Sequence, residues 1–208
     1  MTGRKCRFLL LELILLAGLT AASAQAGNWA DCASQKYNRG IPGCTAIIEA
    51  GTDTAGKLAI AHYNRGNLYL DGGKYDPAIA DYDKAIALNP KFAEAYLGRG
   101  IAHYAKGEYD LAIADYDKAI AVNPKYATAY SNRGLAFRQK KNYAQAIADF
   151  TQAIAMSPNS HEPLFERGLT YEEIGKNGKA AADYESALKL KPQSSQAKVL
   201  KDRLSRVR

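Results

Sequence analysis

The sequence is poor in the residues and patterns that most often carry chemistry. Histidine occurs three times, as His62, His103 and His161, and no two of these stand three or four residues apart, the spacing that sets two imidazoles on one helix face for zinc. No metal site and no cofactor are expected. The Gly-x-Ser-x-Gly elbow, the phosphate-binding loop and the His-Glu-x-x-His pattern are all missing. Paired carboxylates do occur, at Asp81 with Asp83, Asp115 with Asp117 and Glu172 with Glu173, but they recur with a longer period or fall on exposed helix positions. They read as solvated charge, not as a general acid and base. The sequence asks for no catalysis, and a non-enzymatic role is expected.

Cysteine is also scarce. Of the three, Cys6 lies in a leader-like opening: basic Arg4, Lys5 and Arg7, an apolar run from Phe8 to Leu19 broken only by Glu12, then small residues through Ala26. Ala22-Ser23-Ala24 and Ala24-Gln25-Ala26 both offer the small-x-small pattern of a signal-peptidase site, so residues 1–26 read as a signal peptide cut after Ala24 or Ala26. The competing reading, a retained anchor, is disfavoured because a twelve-residue helix reaches about 18 Å and the hydrocarbon core is roughly 30 Å thick. Removal of the leader leaves Cys32 and Cys44 as an even pair, expected to form a disulfide in an oxidising compartment, with two unpaired thiols as the alternative. The location implied is outside a bacterial inner membrane, periplasmic or extracellular.

Acidic residues are outnumbered. The whole chain carries +7, and loss of the leader's net +2 leaves the remainder near +5. The excess gathers at Lys198, Lys201, Arg203, Arg206 and Arg208, opposed there by Asp202. Such a tail suits a solvated helix end, where the helix dipole favours cations, or contact with an anionic polymer or membrane surface. No nucleic-acid partner is expected. Membrane contact would come only through an uncleaved leader or this tail.

What the chain does have is a period. Arg-Gly recurs at 65–66, 99–100, 133–134 and 167–168, thirty-four residues apart. Pro90, Pro124, Pro158 and Pro192 keep the same beat, as do Ala78, Ala112, Ala146 and Ala180. Within one period, Ala59 to Leu70 and Tyr75 to Leu88 show helical spacing of apolar residues, separated by Asp71-Gly72-Gly73-Lys74 and closed by Asn89-Pro90. Each period is therefore a helical hairpin. Gly66 and Ala78 are expected to let the two backbones approach while Tyr69 and Tyr82 fill wider gaps. Most tyrosines, including Tyr75, Tyr109 and Tyr143, fall on core positions of the hairpin.

On these residues the chain resembles the tetratricopeptide repeat (TPR) family. The first unit supplies Gly66, Tyr69, Ala78, Tyr82, Ala85 and Pro90, with His62 in an aromatic's place, and the second substitutes His103 for the expected tyrosine. The resemblance covers residues 59–192 and implies an all-α, right-handed superhelical solenoid of TPR hairpins. The units are 59–92, 93–126, 127–160 and 161–194. Residues 27–58 are expected to form an N-terminal cap, with a short helix near Trp29 to Lys36 and a decayed half repeat over Ile41 to Ala50. Residues 194–208 should form a C-terminal capping helix, since an end repeat lacks a neighbour to cover its apolar face.

Two residue sets stand out within the pattern. Arg65, Arg99, Arg133 and Arg167 stand where the family signature has leucine, and Asp81, Asp115, Asp149 and Asp183 stand about as far beyond each turn. Partly buried Arg–Asp bridges are expected, fixing packing register; an arginine row gripping an anionic ligand is the alternative. The resemblance also implies a groove lined by the first helices. Its residues would be Tyr63, Asn64, Asn67 and Leu70; Glu94, Leu97, Ile101 and Tyr104; Ser131, Asn132, Leu135 and Arg138; and Phe165, Glu166, Leu169 and Glu172. Tyr63, Tyr104 and Phe165 are candidate anchors, and Asn64, Asn67 and Asn132 candidate holders of peptide backbone. The lysine-asparagine clamp that some members use for carboxylate termini is not reproduced, because Tyr63 and Ile101 occupy its positions. The function expected is a protein-binding scaffold, with an envelope-polymer binder as the alternative and self-association through end faces as a further option.

Overall fold

The computed structural model describes residues 25–34, 36–190 and 194–207, and among them every regular element is an α-helix. The leader up to position 24, Pro192 and Arg208 lie outside the described residues. No described helix is long and apolar enough to cross a membrane. The chain divides into two compact units, one ending at Pro90 and the other beginning at Lys91.

The first unit contains α1 (residues 25–32), α2 (Tyr37–Ala50), α3 (Ala55–Asp71) and α4 (Tyr75–Leu88). Its cap departs from the sequence expectation. The short helix starts at 25 instead of 29, and α2 starts at Tyr37 and runs through Pro42, where a missing N–H removes one helical hydrogen bond without ending the helix. Helix α3 begins four residues early because Thr54 caps it, accepting a hydrogen bond from the Lys57 amide at 3.4 Å. Asp53, just upstream, accepts hydrogen bonds from Gln25 Nε2 at 3.0 Å and Trp29 Nε1 at 3.2 Å, tying α1 to the loop before α3. Cys32 and Cys44 form the disulfide and are buried with Ile47 and Ala61.

The second unit contains α5 (Ala93–Ala105), α6 (Tyr109–Val122), α7 (Ala127–Gln139), α8 (Tyr143–Met156), α9 (Glu162–Glu173), α10 (Asn177–Lys189) and α11 (Ser194–Val207). Successive helices pack as antiparallel neighbours. Helices α5, α7 and α9, the first of each hairpin, also touch in order. Helix α11 closes the unit by burying Leu200 and Val207 against Leu164, Tyr184 and Ala187.

One packing unit repeats in both. A Cβ at Gly66 would meet the Tyr82 ring at 2.9 Å, and at Gly100, Gly134 and Gly168 it would strike Tyr116, Phe150 and Tyr184 at 2.6, 2.9 and 2.5 Å. The aromatic ring thus lies directly on the glycine. This corrects the expectation that Tyr82 fills a gap apart from Gly66: glycine is required because the ring takes the space a side chain would need. The rings themselves are fully buried. Tyr75, Tyr109 and Tyr143 open the second helices of their hairpins and are half-buried.

The turns also repeat. The amides of Lys74, Glu108, Asn142 and Lys176 donate to the carbonyls of Tyr69, His103, Phe137 and Tyr171 at 2.8–2.9 Å, a six-to-one closure after a left-handed residue. That residue is Gly73, Gly107 or Gly175 in three hairpins, with φ from 69° to 79°. In the other it is Lys141, at φ 59°.

Candidate functional site

The charged pairs come first, because they decide which side chains remain available. Arg65 reaches Asp81 through Nε at 2.7 Å and Nη2 at 2.8 Å, and the same two-pronged geometry joins Arg99 to Asp115, Arg133 to Asp149 and Arg167 to Asp183 at 2.5–2.9 Å. All four aspartates are buried. The third nitrogen of the fork looks backward along the chain: Arg65 Nη1 donates to Thr45, Arg133 Nη1 to Asp117, and Arg167 Nη1 to Thr151. Each of these arginines pins its own hairpin and the preceding helix at once, which a point-charge lysine could not do. Burial alone would raise the Asp81 carboxyl, but hydrogen bonds from Arg65 and His62 hold it below the usual carboxylate range. These arginines are 18–23% exposed and engaged by carboxylates, so the anion-gripping row loses its support.

The histidines are similarly placed. His62 Nδ1 lies 2.8 Å from Asp81, and His103 Nδ1 lies 2.6 Å from Glu108. Among the described residues no cluster of His, Cys, Asp and Glu has the makings of a metal site.

In the first unit, the groove positions are already in use. Asn67 accepts a hydrogen bond from the Tyr82 hydroxyl at 2.7 Å, and the Tyr63 ring tilts against the Tyr82 ring at 6.1 Å. Asn64 Nδ2 faces the Cys32 sulfur at 3.9 Å. Residues 32–34 stand over this face of α3, leaving a cavity of about 390 Å³ bounded by Asn64, Asn67, Leu70 and Asp71. The N-terminal cap therefore shares the surface on which a ligand was expected.

The second unit keeps its groove positions together, with two exceptions. Leu97 is 8% exposed and belongs to the core with Tyr116, Ala119 and Ala136, so it is not a contact residue. Asn132 turns back to the Thr128 carbonyl at 2.9 Å. Ile101, Tyr104, Leu135, Phe165 and Leu169 are all partly exposed. Their helices are linked laterally by Gln139 Nε2 donating to the Tyr104 hydroxyl at 3.3 Å, and by Arg138 Nη1 at 2.8 Å from Glu166. Arg138 is therefore a cross-helix strut, not a free cation. Phe165 also packs on the Tyr184 ring at 6.0 Å, so a residue chosen as an anchor is partly a core residue.

Two cavities open along this face. One, of about 310 Å³, lies between the N-terminal ends of α7 and α9, lined by Thr128, Ser131, Asn132, Ser160 and Glu162. The other, of about 190 Å³, lies between α9 and α11, with Phe165, Val199 and Leu200 below and Glu162 and Glu166 beside them. Residues of α11, which sequence reasoning assigned to capping and to a basic tail, thus form one wall. The exposed Val199 in an otherwise amphipathic helix is the signal that could have found it.

Comparison with known proteins accounts for the recurring hairpin. A family model described as TPR repeat matches residues 66–107, and two described as tetratricopeptide repeat match residues 101–161 and 133–205. Among solved structures, MamA aligns with 26% identity over 77% of this chain and 91% of its own, with a TM-score of 0.68. TTC0263, a thermophilic TPR protein of Thermus thermophilus, aligns with 22% identity over 82% and 90%, with a TM-score of 0.65. YrrB, a TPR protein with an unusual peptide-binding site, aligns with 19% identity over 80% and 84%, with a TM-score of 0.64. No curated protein sequence gives a significant match.

Proposed function

Because this chain belongs to the tetratricopeptide repeat family, we propose that it is a non-catalytic scaffold that binds a peptide or helix of a partner protein on the groove face of its second unit. The observation that carries this reading is the row formed by α5, α7 and α9, which leaves Ile101, Tyr104, Leu135, Phe165 and Leu169 half-exposed beside two cavities. Side chains partly held by the core and partly open are rigid before binding, so a ligand orders little on docking. The peptide-binding site described for YrrB lends the reading support by likeness of fold. The first unit's corresponding face, shared with residues 32–34, acts as cap before ligand site.

Export is part of the proposal. The leader composition and the Cys32–Cys44 disulfide both suit a chain that works beyond a bacterial inner membrane. The N-terminus of the protein isolated from cells tests this: Gln25 or Gly27 is expected, and an unprocessed chain in the cytosol would overturn it. The groove is tested by a photo-crosslinker placed at Ser131, on the groove face, or at Lys118, exposed on α6. Partner adducts from position 131 alone are expected, and adducts from 118 alone would move binding to the opposite face.

A further inference from the structure

The charge of the groove runs against the charge of the chain. The protein carries +7, yet the outward positions of α5, α7 and α9 hold Glu94, Glu162, Glu166, Glu172 and Glu173 against Arg138. Three of these glutamates, Glu166, Glu172 and Glu173, pair with side chains of other helices. Glu172 accepts from the Tyr184 hydroxyl at 2.8 Å and from Arg203 at 3.1 Å, and Glu173 lies 3.9 Å from Arg138. Glu94 faces solvent, and so does Glu162, which accepts a hydrogen bond from the neighbouring Ser160 hydroxyl and lies 3.8 Å from His161 Nδ1.

Glu166 differs from the others. Its Oε2 sits 2.8 Å from Arg138 Nη1 in an ion pair whose two atoms are both buried. Burial raises the Glu166 carboxyl above its ordinary range despite the nearby guanidinium. A carboxylate held by one guanidinium keeps lone pairs that a second cation can use. Beside it, the 190 Å³ cavity over Phe165, Val199 and Leu200 has room for one large apolar side chain. Glu162 borders this cavity and the 310 Å³ cavity alike, so a chain crossing from one to the other passes it.

We infer that the groove of the second unit selects a cationic peptide segment, one that seats an apolar side chain over Phe165 and Leu200 and places an adjacent lysine or arginine between Glu162 and Glu166. The inference rests on the groove reading above and names its partner class. Charge complementarity of this kind rejects acidic segments as well as attracting basic ones.

The test is selection of random twelve-residue peptides displayed on phage against the full chain, followed by fluorescence anisotropy of the enriched peptides. Enriched sequences should place lysine or arginine beside leucine, methionine or phenylalanine. Affinity should fall roughly tenfold, about the loss of one good charged contact, in Glu162→Gln/Glu166→Gln and should weaken as salt rises. Val199→Lys, at an exposed cavity wall, should weaken binding without disturbing the core. Acidic or uncharged consensus sequences, or binding unchanged in both variants, would overturn the inference. Self-association lost in Glu162→Gln/Glu166→Gln would put a second copy in the groove and overturn it too. Crosslinks from position 131 with no basic consensus would remove the charge inference and leave the groove reading standing. Neither crosslinks nor enriched peptides would remove both.

Discussion

The two units close their ends by different means. The first ends in a short helix with little apolar surface, and its cap is held by the Cys32–Cys44 bond and the hydrogen bonds gathered on Asp53. The second ends in α11, a full amphipathic helix that buries Leu200, Val207 and part of Leu204. A covalent link substitutes for area where the sequence has too few large apolar residues to bury. The contrast also bears on function, since the bonded cap sits over its groove face and α11 instead builds a wall of one.

The largest expected effect probes what the units share. Asp115→Ala leaves Arg99 without its buried partner and should cost about 3–4 kcal/mol, seen as a lower urea midpoint and faster hydrogen exchange across residues 91–207. Leu200→Ala, at the second unit's cap, should cost about 3 kcal/mol and be indifferent to reductant. Reduction of the disulfide, or Cys32→Ser with Cys44→Ser, should cost a similar amount, near 3 kcal/mol on the loop-entropy account, with exchange quickening in residues 25–71 only. Uniform quickening in both units would break the contrast.

A smaller effect comes from Lys141, which holds a left-handed backbone where the other hairpins have glycine. Lys141→Gly should stabilise by about 1 kcal/mol, read as a raised urea midpoint. The smallest is pH dependence. Glu166 is raised in the fold, so its favourable contribution is present below its unfolded value of about 4.3 and is lost as pH rises through the folded value. Asp81 is lowered, so its contribution is present above about 3.9 and is lost as pH falls through the folded value. Acidification from neutral should therefore favour the second unit slightly before it harms the first. Glu166→Gln should erase that early gain in a urea series across pH.

Much of the hairpin was legible because it depends on period. Arginine and aspartate recur every thirty-four residues at like distances from each turn, so antiparallel helices bring them together, whereas the aromatic ring lying on the glycine was decided by packing. The cap was less legible. Pro42 marks a helix boundary in isolation, but one lost hydrogen bond is easily outweighed once Cys44 and Ile47 are buried. The groove was legible as a set of positions and not as a set of available side chains.

From sequence alone came the all-α class, the hairpin unit, the Arg–Asp spacing and the cysteine pair, because each follows from local periodicity or from counting residues. The tertiary structure decided which groove residues can meet a ligand. Leu97 sinks into the core, Asn67 serves Tyr82, Arg138 braces Glu166, and Val199 of α11 becomes a cavity wall. Availability depends on partners brought from other helices, and that information exists only once the chain is packed.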